Sequence, residues 1–153
     1  MLKSISSFDD FRYETEVPVR ITDINYGDHL GNDSFVSVLH EARVRFLDSI
    51  GYSELKFGNV SLIMVDLYVK YKQEVFYPDI LQVKIGIQDL KKCTFDMVYS
   101  ITSKKTGKEA AVAKTSMASF DYDARRIVKL PQEFAEIYKN RPDENVFSNF
   151  KDD

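Results

Sequence analysis

A single long amphipathic segment constrains the fold of this chain more than any other feature of its sequence. From residue 35 to residue 50, apolar side chains recur at the i, i+3, i+4, i+7 spacing of one helix face. They are Phe35, Val38, Leu39, Ala42, Phe46, Leu47 and Ile50. Asn32 or Asp33 is suited to cap the helix start, because its side-chain oxygen can accept a hydrogen bond from a free N–H of the first turn. Gly51 fits the left-handed position that ends a helix.

Alternating apolar and polar residues predict strands on both sides of this helix. The predicted strands span residues 11–21, 61–75, 81–88, 95–101 and 110–122. Pro18 cannot donate to a strand ladder, so the first strand is expected at a sheet edge or bulged. In the second strand, one face is expected to carry Ile63, Val65, Leu67, Val69 and Tyr71. Turns are predicted at 76–79 and at 104–108, where Gly107 supplies a positive φ, and a short helix is predicted at 131–138.

One helix cannot cover both faces of a five-stranded sheet. The element order therefore predicts an α+β fold in which an antiparallel sheet wraps around the helix and leaves an edge or face for a second copy. The length of 153 residues favours one domain. We assign it to residues 1–138 and expect residues 139–153 to form a polar tail in which Phe147 and Phe150 could dock.

Composition excludes some function classes. The net charge of −3 gives no support for nucleic-acid binding, and a polyanionic ligand would need a local basic patch. No window approaches the run of about 18 apolar residues that a membrane span needs. Cys93 is the only cysteine, so no intramolecular disulfide can form. This usage fits a reducing compartment, and we expect a cytoplasmic protein.

The residues directly before the helix hold most of the candidate chemistry. Residues 23–33 bring together carboxylate, carboxamide and imidazole groups, and the positive end of the helix dipole favours negative charge there. The chain has no Gly-x-Ser-x-Gly elbow, no Gly-rich phosphate loop and no zinc-ligand spacing. We therefore expect neither a cofactor nor a metal.

The run Asp23-Ile-Asn-Tyr-Gly-Asp-His-Leu-Gly-Asn32, the helix residues Glu41-Ala-Arg43, and Tyr71 with Phe76-Tyr-Pro-Asp79 carry a resemblance. From about residue 13 to residue 131, the chain resembles the 4-hydroxybenzoyl-CoA thioesterase-like acyl-CoA thioesterases of the hotdog fold. The resemblance implies a five-stranded antiparallel sheet around one long central helix, a homodimer or homotetramer associated through the sheet, and hydrolysis of an acyl-CoA thioester. Many members of the family carry a catalytic Asp where this chain has Asn25, and Gly where it has Asp28.

Thioester hydrolysis needs a carboxylate that activates water and a set of donors that stabilises the oxyanion. The turn and helix offer Asp23, Asp28, Asp33 and Glu41 as carboxylates. We predict Asp28 as the base, with His29 orienting the water or the substrate. Glu41 is the second choice, although it is also spaced to pair with the residue at i+4. Asp23 and Asp33 are more typical of turn and cap residues.

Asn25 cannot act as a base, but its amide can donate a hydrogen bond to a carbonyl or position a water. Gly31 allows the backbone to approach a substrate closely. The residues predicted to bind substrate are Asp23, Tyr26, Gly31, Asn32, Tyr68, Lys72 and Phe76. Tyr26, Tyr68 and Phe76 are candidates for lining an acyl tunnel. The cations available for CoA phosphates are Lys70, Lys72, Lys91, Lys92, Arg125 and Arg126.

Two other functions remain open from the sequence. A hotdog enoyl-thioester hydratase or dehydratase pairs an acidic residue with His, as Asp28 and His29 could do. A non-catalytic acyl-thioester binding module is suggested by Asn25. The acyl chain, and the choice between CoA and an acyl carrier protein as its carrier, also stay open.

Overall fold

The computed structural model describes residues 8–139, so the expected tail is outside the described residues from residue 140 onwards. The elements are β1 (Tyr13–Pro18), α1 (Asn32–Ser49), β2 (Ser61–Tyr71), β3 (Ile80–Gln88), β4 (Thr94–Ser103), β5 (Glu109–Asp121), β6 (Arg126–Ile127) and α2 (Gln132–Lys139). A short 3₁₀ turn, Ile21–Asp23, follows β1. No helix within the described residues is long and apolar enough to cross a membrane.

The strands form one antiparallel sheet in the order β1-β3-β4-β5-β2, and β6 pairs with the end of β5. The sheet packs one face against α1. The buried core joins Leu39, Ala42, Phe46 and Leu47 of α1 to Leu81, Val83, Ile85, Phe95, Met97 and Tyr99 of the sheet. Each fully buried aliphatic or aromatic side chain contributes roughly 1.5–3 kcal/mol to folding. The predicted α+β architecture around one central helix is confirmed, with a sixth, two-residue strand that the sequence analysis did not predict.

The two ends of α1 differ in how they are capped. The N-cap is Gly31, with no side-chain hydrogen bond, and Asn32 is already the first helical residue, so the prediction of Asn32 or Asp33 as N-cap was wrong. At the other end, Gly51 has φ +82 and donates to the Asp48 carbonyl at 3.0 Å, while Tyr52 donates to the Leu47 carbonyl at 2.8 Å. This is a Schellman motif, and it confirms the predicted role of Gly51.

The first strand lies at the sheet edge, as Pro18 predicts, but it ends at Pro18 rather than at residue 21. It ends there because Asp23 folds back. The Asp23 carboxylate accepts a hydrogen bond from the Arg20 backbone N–H at 2.8 Å and closes the 3₁₀ turn.

The second strand differs from its prediction in its end and in its alternation of faces. It ends at Tyr71 rather than at residue 75, and its register with β5 shifts between Met64 and Asp66. Because a bulge inserts one extra residue, every side chain before it changes face. Leu62 therefore shares the α1 face with Leu67, whereas Ile63 points to the opposite face.

The face of the sheet opposite α1 carries a smaller core. Phe8, Val98 and Val112 are buried there, with Tyr68 packed against them. Gly86 makes this packing possible, because a side chain at that position would collide with the Phe8 ring. Tyr68 is therefore held on the sheet face that does not contact α1.

The C-terminal helix α2 covers one end of the main core, close to the predicted 131–138 segment. Phe134 is fully buried. Its ring centroid lies 4.9 Å from that of Phe57 and 4.7 Å from that of Phe95. Tyr138 packs on Phe134 at 4.8 Å. These aromatic contacts join α2 to β4 and to the loop that follows α1.

One buried cation fastens the middle of α1. The Arg43 side chain is 9% exposed, and its Nε donates to the Glu54 carboxylate at 2.7 Å. Another guanidinium nitrogen lies 3.4 Å from the Tyr99 hydroxyl, which in turn lies 2.9 Å from the Thr115 hydroxyl. Burial opposes the charge, but Tyr99 and Glu54 outweigh it and raise the pKa of Arg43. This network links α1 to β4, β5 and the loop after the helix.

A second ion pair ties the bulged strand β2 to β5. Lys114 is buried, and its ammonium lies 3.3 Å from the Asp66 carboxylate. The Ser116 backbone N–H donates to the same carboxylate at 3.2 Å. Burial alone would raise the pKa of Asp66, but the hydrogen bonds from Ser116 and Lys114 outweigh it and lower that pKa.

Replacing Arg43 by Met should destabilise the protein by about 1–3 kcal/mol, because Glu54 loses its closest cationic partner next to the core. The matched control is Lys104→Met, which removes a surface pair with Glu16 whose two side chains are half exposed. The control should cost less than about 1 kcal/mol. Urea unfolding of both variants measures the difference, and equal losses would contradict a special role for the buried pair.

Replacing Asp66 by Asn should lower stability near pH 7 by about 1 kcal/mol or less, because the carboxylate is half exposed. The folded pKa of Asp66 lies below its ordinary value of 3.8. The stabilisation is therefore fully present above the ordinary value of 3.8. It is lost as the pH falls from there through the lower, folded pKa. Urea unfolding of wild type and Asp66→Asn near neutral pH and at about pH 3 measures this effect. A difference that stays as large in acid would show that the carboxylate charge is not its source.

Candidate active site

The polar segment before α1 folds as a tight hairpin. Ile24 and Leu30 pair across it, and the Asn25 backbone N–H donates to the His29 carbonyl at 2.9 Å. The Asn25 side-chain oxygen accepts from the Gly27 N–H at 2.9 Å. Asp28 has φ +62, a left-handed conformation that Asp and Asn adopt more readily than most residues. Asn25 and Asp28 therefore both have a turn-forming role, whatever their chemistry.

Backbone hydrogen bonds attach this hairpin to the start of α1. The Leu30 N–H donates to the Val75 carbonyl at 2.7 Å, and the Gly31 N–H donates to the Asp23 carbonyl at 3.1 Å. Asp23 is buried, and its carboxylate is bonded to Arg20. Asp23 therefore holds the backbone in place.

Tyr71, at the end of β2, fixes the first turn of the helix. Its hydroxyl donates to the Asn32 carbonyl at 3.0 Å, and its ring packs on Phe35 with 5.2 Å between centroids. Burial, followed by the negative charge of Asp33, raises the pKa of Tyr71. The sequence places Tyr71 on one face of the predicted second strand and in the family pattern. It could not predict this contact, because the bond joins two residues 39 positions apart.

The start of α1 presents backbone donors. The Phe35 N–H makes the first intrahelical bond, to the Gly31 carbonyl at 3.1 Å. The N–H groups of the three residues before Phe35 have no earlier helical carbonyl to bond. Gly31 has no side chain to cap them, and no capping bond is formed. A carbonyl oxygen or an oxyanion from outside the protein is the kind of group that such donors bind.

Two glycines are surrounded by the polar side chains of the site. A Cβ added to Gly31 would lie 2.5 Å from Asp33 Oδ1 and 3.6 Å from Asn25 Cβ. A Cβ added to Gly27 would lie 3.2 Å from the His29 ring and 3.3 Å from Asn25 Oδ1. The structure therefore brings Asn25 into the same small region as His29 and the Asp33 carboxylate.

His29 is partly exposed at this site. Its Nδ1 lies 3.2 Å from the Leu30 carbonyl, and its Nε2 lies 4.0 Å from the Glu74 carboxylate. The backbone contact orients the ring, while the other nitrogen faces an exposed acidic side chain. Within residues 8–139, no three His, Cys, Asp or Glu side chains are grouped so that they could hold a metal ion.

The other predicted carboxylates have different surroundings. Asp28 is exposed near the tip of the hairpin. Glu41 is nine residues after the first residue of α1, which is about 13 Å along the helix axis. It pairs with Arg45 at 3.0 Å. Glu41 and Asp23 instead line a cleft of about 260 Å³ along the flank of α1, together with Val17, Pro18, Arg20, Ser37, Val38 and Arg45.

The predicted substrate-binding residues divide into two groups. Tyr26 is fully exposed on the hairpin, and Phe76 is half exposed directly after the residue that bonds Leu30. Tyr68 lies on the sheet face opposite α1, and the Lys72 ammonium is paired with Glu109. The structure brings Tyr26 and Phe76 to the hairpin and does not bring Tyr68 there.

Comparisons with known proteins identify the family and the fold of the chain. Residues 19–137 match the family model described as the thioesterase-like superfamily. A protein of Aquifex aeolicus (strain VF5) named "Putative esterase" is 28% identical over 132 residues, which are 85% of this chain and 98% of that protein.

Solved structures with the same fold include a 1,4-dihydroxy-2-naphthoyl-CoA thioesterase from Synechocystis. It is 21% identical, with a TM-score of 0.75 over 84% of this chain and 96% of that one. Another is a Staphylococcus aureus protein solved in complex with CoA, which is 21% identical, with a TM-score of 0.74 over 84% of this chain and 85% of that one. These likenesses establish the hotdog fold, and the family match covers most of the chain. The chain therefore belongs to the thioesterase-like superfamily.

Proposed function

We propose that this protein is an acyl-CoA thioesterase, which hydrolyses an acyl-CoA thioester to a free acid and CoA. The observation that carries the proposal is the start of α1. There a glycine N-cap leaves backbone N–H groups without a capping side chain. The side chains of Asp33 and Asn25, which can form hydrogen bonds with water, lie around the same glycine. The superfamily to which the chain belongs supports the thioester as substrate.

In the proposed reaction, the thioester carbonyl oxygen accepts hydrogen bonds from the first-turn N–H groups of α1. These donors stabilise the negative charge that develops on that oxygen when water attacks, and such preorganised donors are usually the largest contribution to this chemistry. A carboxylate beside the helix start takes a proton from the water. In this reaction the Asn25 amide and the His29 ring orient the water or the substrate.

The exposed aromatic rings at the hairpin support an apolar or aromatic acyl group. Tyr26 lies on the hairpin, Phe76 directly follows the residue that bonds Leu30, and both side chains are half exposed or more, so they offer ring faces to an acyl chain. The CoA phosphates need cations, and Lys91, Lys92, Arg125 and Arg126 are exposed. The CoA complex of the Staphylococcus aureus protein supports CoA as the carrier.

The free edge of the sheet supports a homodimer or a homotetramer as the active form. β2 pairs with β5 along one side, and no strand of the described residues lies along its other side. Exposed apolar side chains line this edge, with Met64 46%, Val65 60% and Leu67 38% exposed. A second copy could both pair with the edge and bury these side chains.

Asn25 favours a second candidate function, a non-catalytic module that binds an acyl thioester. Because a carboxamide is not a base, a protein with Asn at this position could bind an acyl thioester without cleaving it. The hydrogen bond from Gly27 gives Asn25 a structural reason to be there, which is compatible with either function.

Release of free thiol from a panel of aromatic and short- to long-chain aliphatic acyl-CoAs tests the proposal. We expect release by the wild type. Gly31→Val should lower kcat/KM by about 10²-fold, because the added side chain displaces the Asp33 carboxylate and obstructs the N–H groups. The control is Asp48→Asn, an exposed position near the other end of α1, which should keep wild-type rates.

Other outcomes would favour other functions. If the wild type binds acyl-CoA without releasing thiol, and Asn25→Asp acquires release, the protein is a binding module. Hydration of a crotonyl thioester without thiol release would assign the protein to the hydratases.

A further inference from the structure

We infer that Asp33 is the carboxylate that takes the proton from the attacking water. This inference rests on the proposed thioesterase function and assigns to Asp33 a role that sequence reasoning gave first to Asp28 and second to Glu41. Asp33 is the second residue of α1, so it is built into the turn whose N–H groups would hold the substrate carbonyl.

The Asp33 side chain lies beside Gly31, the N-cap of α1. Its Oδ1 lies 2.5 Å from the point where a side chain at Gly31 would begin, and Asn25 Cβ lies 3.6 Å from the same point. The carboxylate therefore occupies space that any other residue at position 31 would fill with its own Cβ. It lies against the backbone at the helix start, on the same side of Gly31 as Asn25 Cβ.

The other three carboxylates are held by other contacts or lie in a turn. Asp23 is buried and bonded to Arg20. Glu41 pairs with Arg45 and lies about 13 Å further along the helix axis. Asp28 is exposed in a left-handed turn conformation, where Asp commonly serves as a turn residue. Asp33 is exposed as well, but of these four side chains it is the one whose carboxylate lies beside Gly31 at the helix start.

The surroundings of Tyr71 agree with this position of the Asp33 charge. The Tyr71 hydroxyl donates to the Asn32 carbonyl, so this phenol is in contact with the first turn. Besides burial, the charge of Asp33 raises the pKa of Tyr71. This effect agrees with a carboxylate beside the first turn, where its contact with Gly31 also locates it.

The proposed step is a proton transfer coupled to the attack of water on the thioester. Asp33 accepts a proton from water while the water oxygen bonds to the thioester carbon, and the carbonyl electrons move to the oxygen held by the α1 N–H groups. Collapse of this intermediate breaks the C–S bond. The leaving thiolate takes the proton back from Asp33 and departs as the CoA thiol. The acyl group leaves as the acid, and the Asp33 carboxylate is restored.

Steady-state kinetics on the best acyl-CoA of the panel test the assignment. Asp33→Asn should lower kcat by at least about 10²-fold, the usual contribution of a general base, with little change in KM. Asp33→Ala should be equally impaired and should regain activity when formate is added, because a small carboxylate can occupy the vacated space. The rival variants Asp28→Asn and Glu41→Gln are measured beside them, and Asp48→Asn is the neutral control.

The outcomes separate this inference from the proposed function. Wild-type thiol release that persists in Asp33→Asn would overturn the role of Asp33 while leaving the thioesterase function intact. Loss without any rescue by formate would make Asp33 a structural residue and would also overturn it. Absence of release from the wild type would remove the proposed function, and this inference would fall with it.

Titration of Tyr71 tests the placement of Asp33 without any activity. With ring-labelled tyrosine and NMR, and with Tyr71→Phe to assign the signal, Asp33→Asn should lower the pKa of Tyr71. That pKa should remain above the ordinary value of 10.0, because burial is the larger cause of the shift. Asp28→Asn should leave it unchanged. An unchanged Tyr71 in Asp33→Asn would show that the carboxylate points away from the first turn.

Discussion

Burial of α1 against one face of the sheet is the interaction on which the rest of this structure depends. Leu39, Ala42 and Leu47 of the helix are completely buried among sheet side chains. The hydrophobic effect supplies most of the folding free energy, and here it also determines the position of the helix. Because the helix cannot rotate or slide without exposing this face, its first turn has one position relative to β2 and to the hairpin. A site built at the end of a helix needs that fixed position.

Polar contacts then set the orientation of the helix start within the limits that packing allows. Tyr71 bonds the first helical carbonyl, and the backbone N–H groups of Leu30 and Gly31 are each bonded to another segment. In the middle of the helix, Arg43 likewise bonds Glu54 and Tyr99 of other segments. These bonds are individually worth about 1 kcal/mol. Their main effect is to fix the position and orientation of the helix start.

The start of α1 can bind a ligand because its N-cap, Gly31, has no side chain. A Ser, Thr, Asp or Asn at the N-cap would bond the first-turn N–H groups, and Gly31 leaves them available to a ligand. The missing side chain also makes room for the Asp33 carboxylate. The same glycine therefore provides donors and a carboxylate at one point, an arrangement that tends to cost stability at the helix terminus in exchange for function.

The sequence by itself determined the elements and their order. Periodicity of 3.6 or 2 residues depends on neighbouring positions, so α1, the buried faces of β3 and β4, the edge position of β1 and the Gly51 helix stop could all be predicted. It also placed the candidate chemistry in residues 23–33, because polar side chains concentrate before the helix. It could not decide which residue caps the helix, since that choice depends on the backbone path that Asp23 and Val75 impose from other segments.

Only the tertiary structure decided which of these polar groups meet. The bulge at residue 65, the Tyr71 contact with Asn32 and the position of Asp33 over Gly31 arise from strand pairing and packing between distant residues. Spacing along the chain carries no information on such contacts, so it could not distinguish four carboxylates within nineteen positions. Asp28 and Asp33 are chemically identical in the sequence. Their difference arises because one lies in a left-handed turn, while the carboxylate of the other lies beside Gly31 at the start of a helix whose position the core determines.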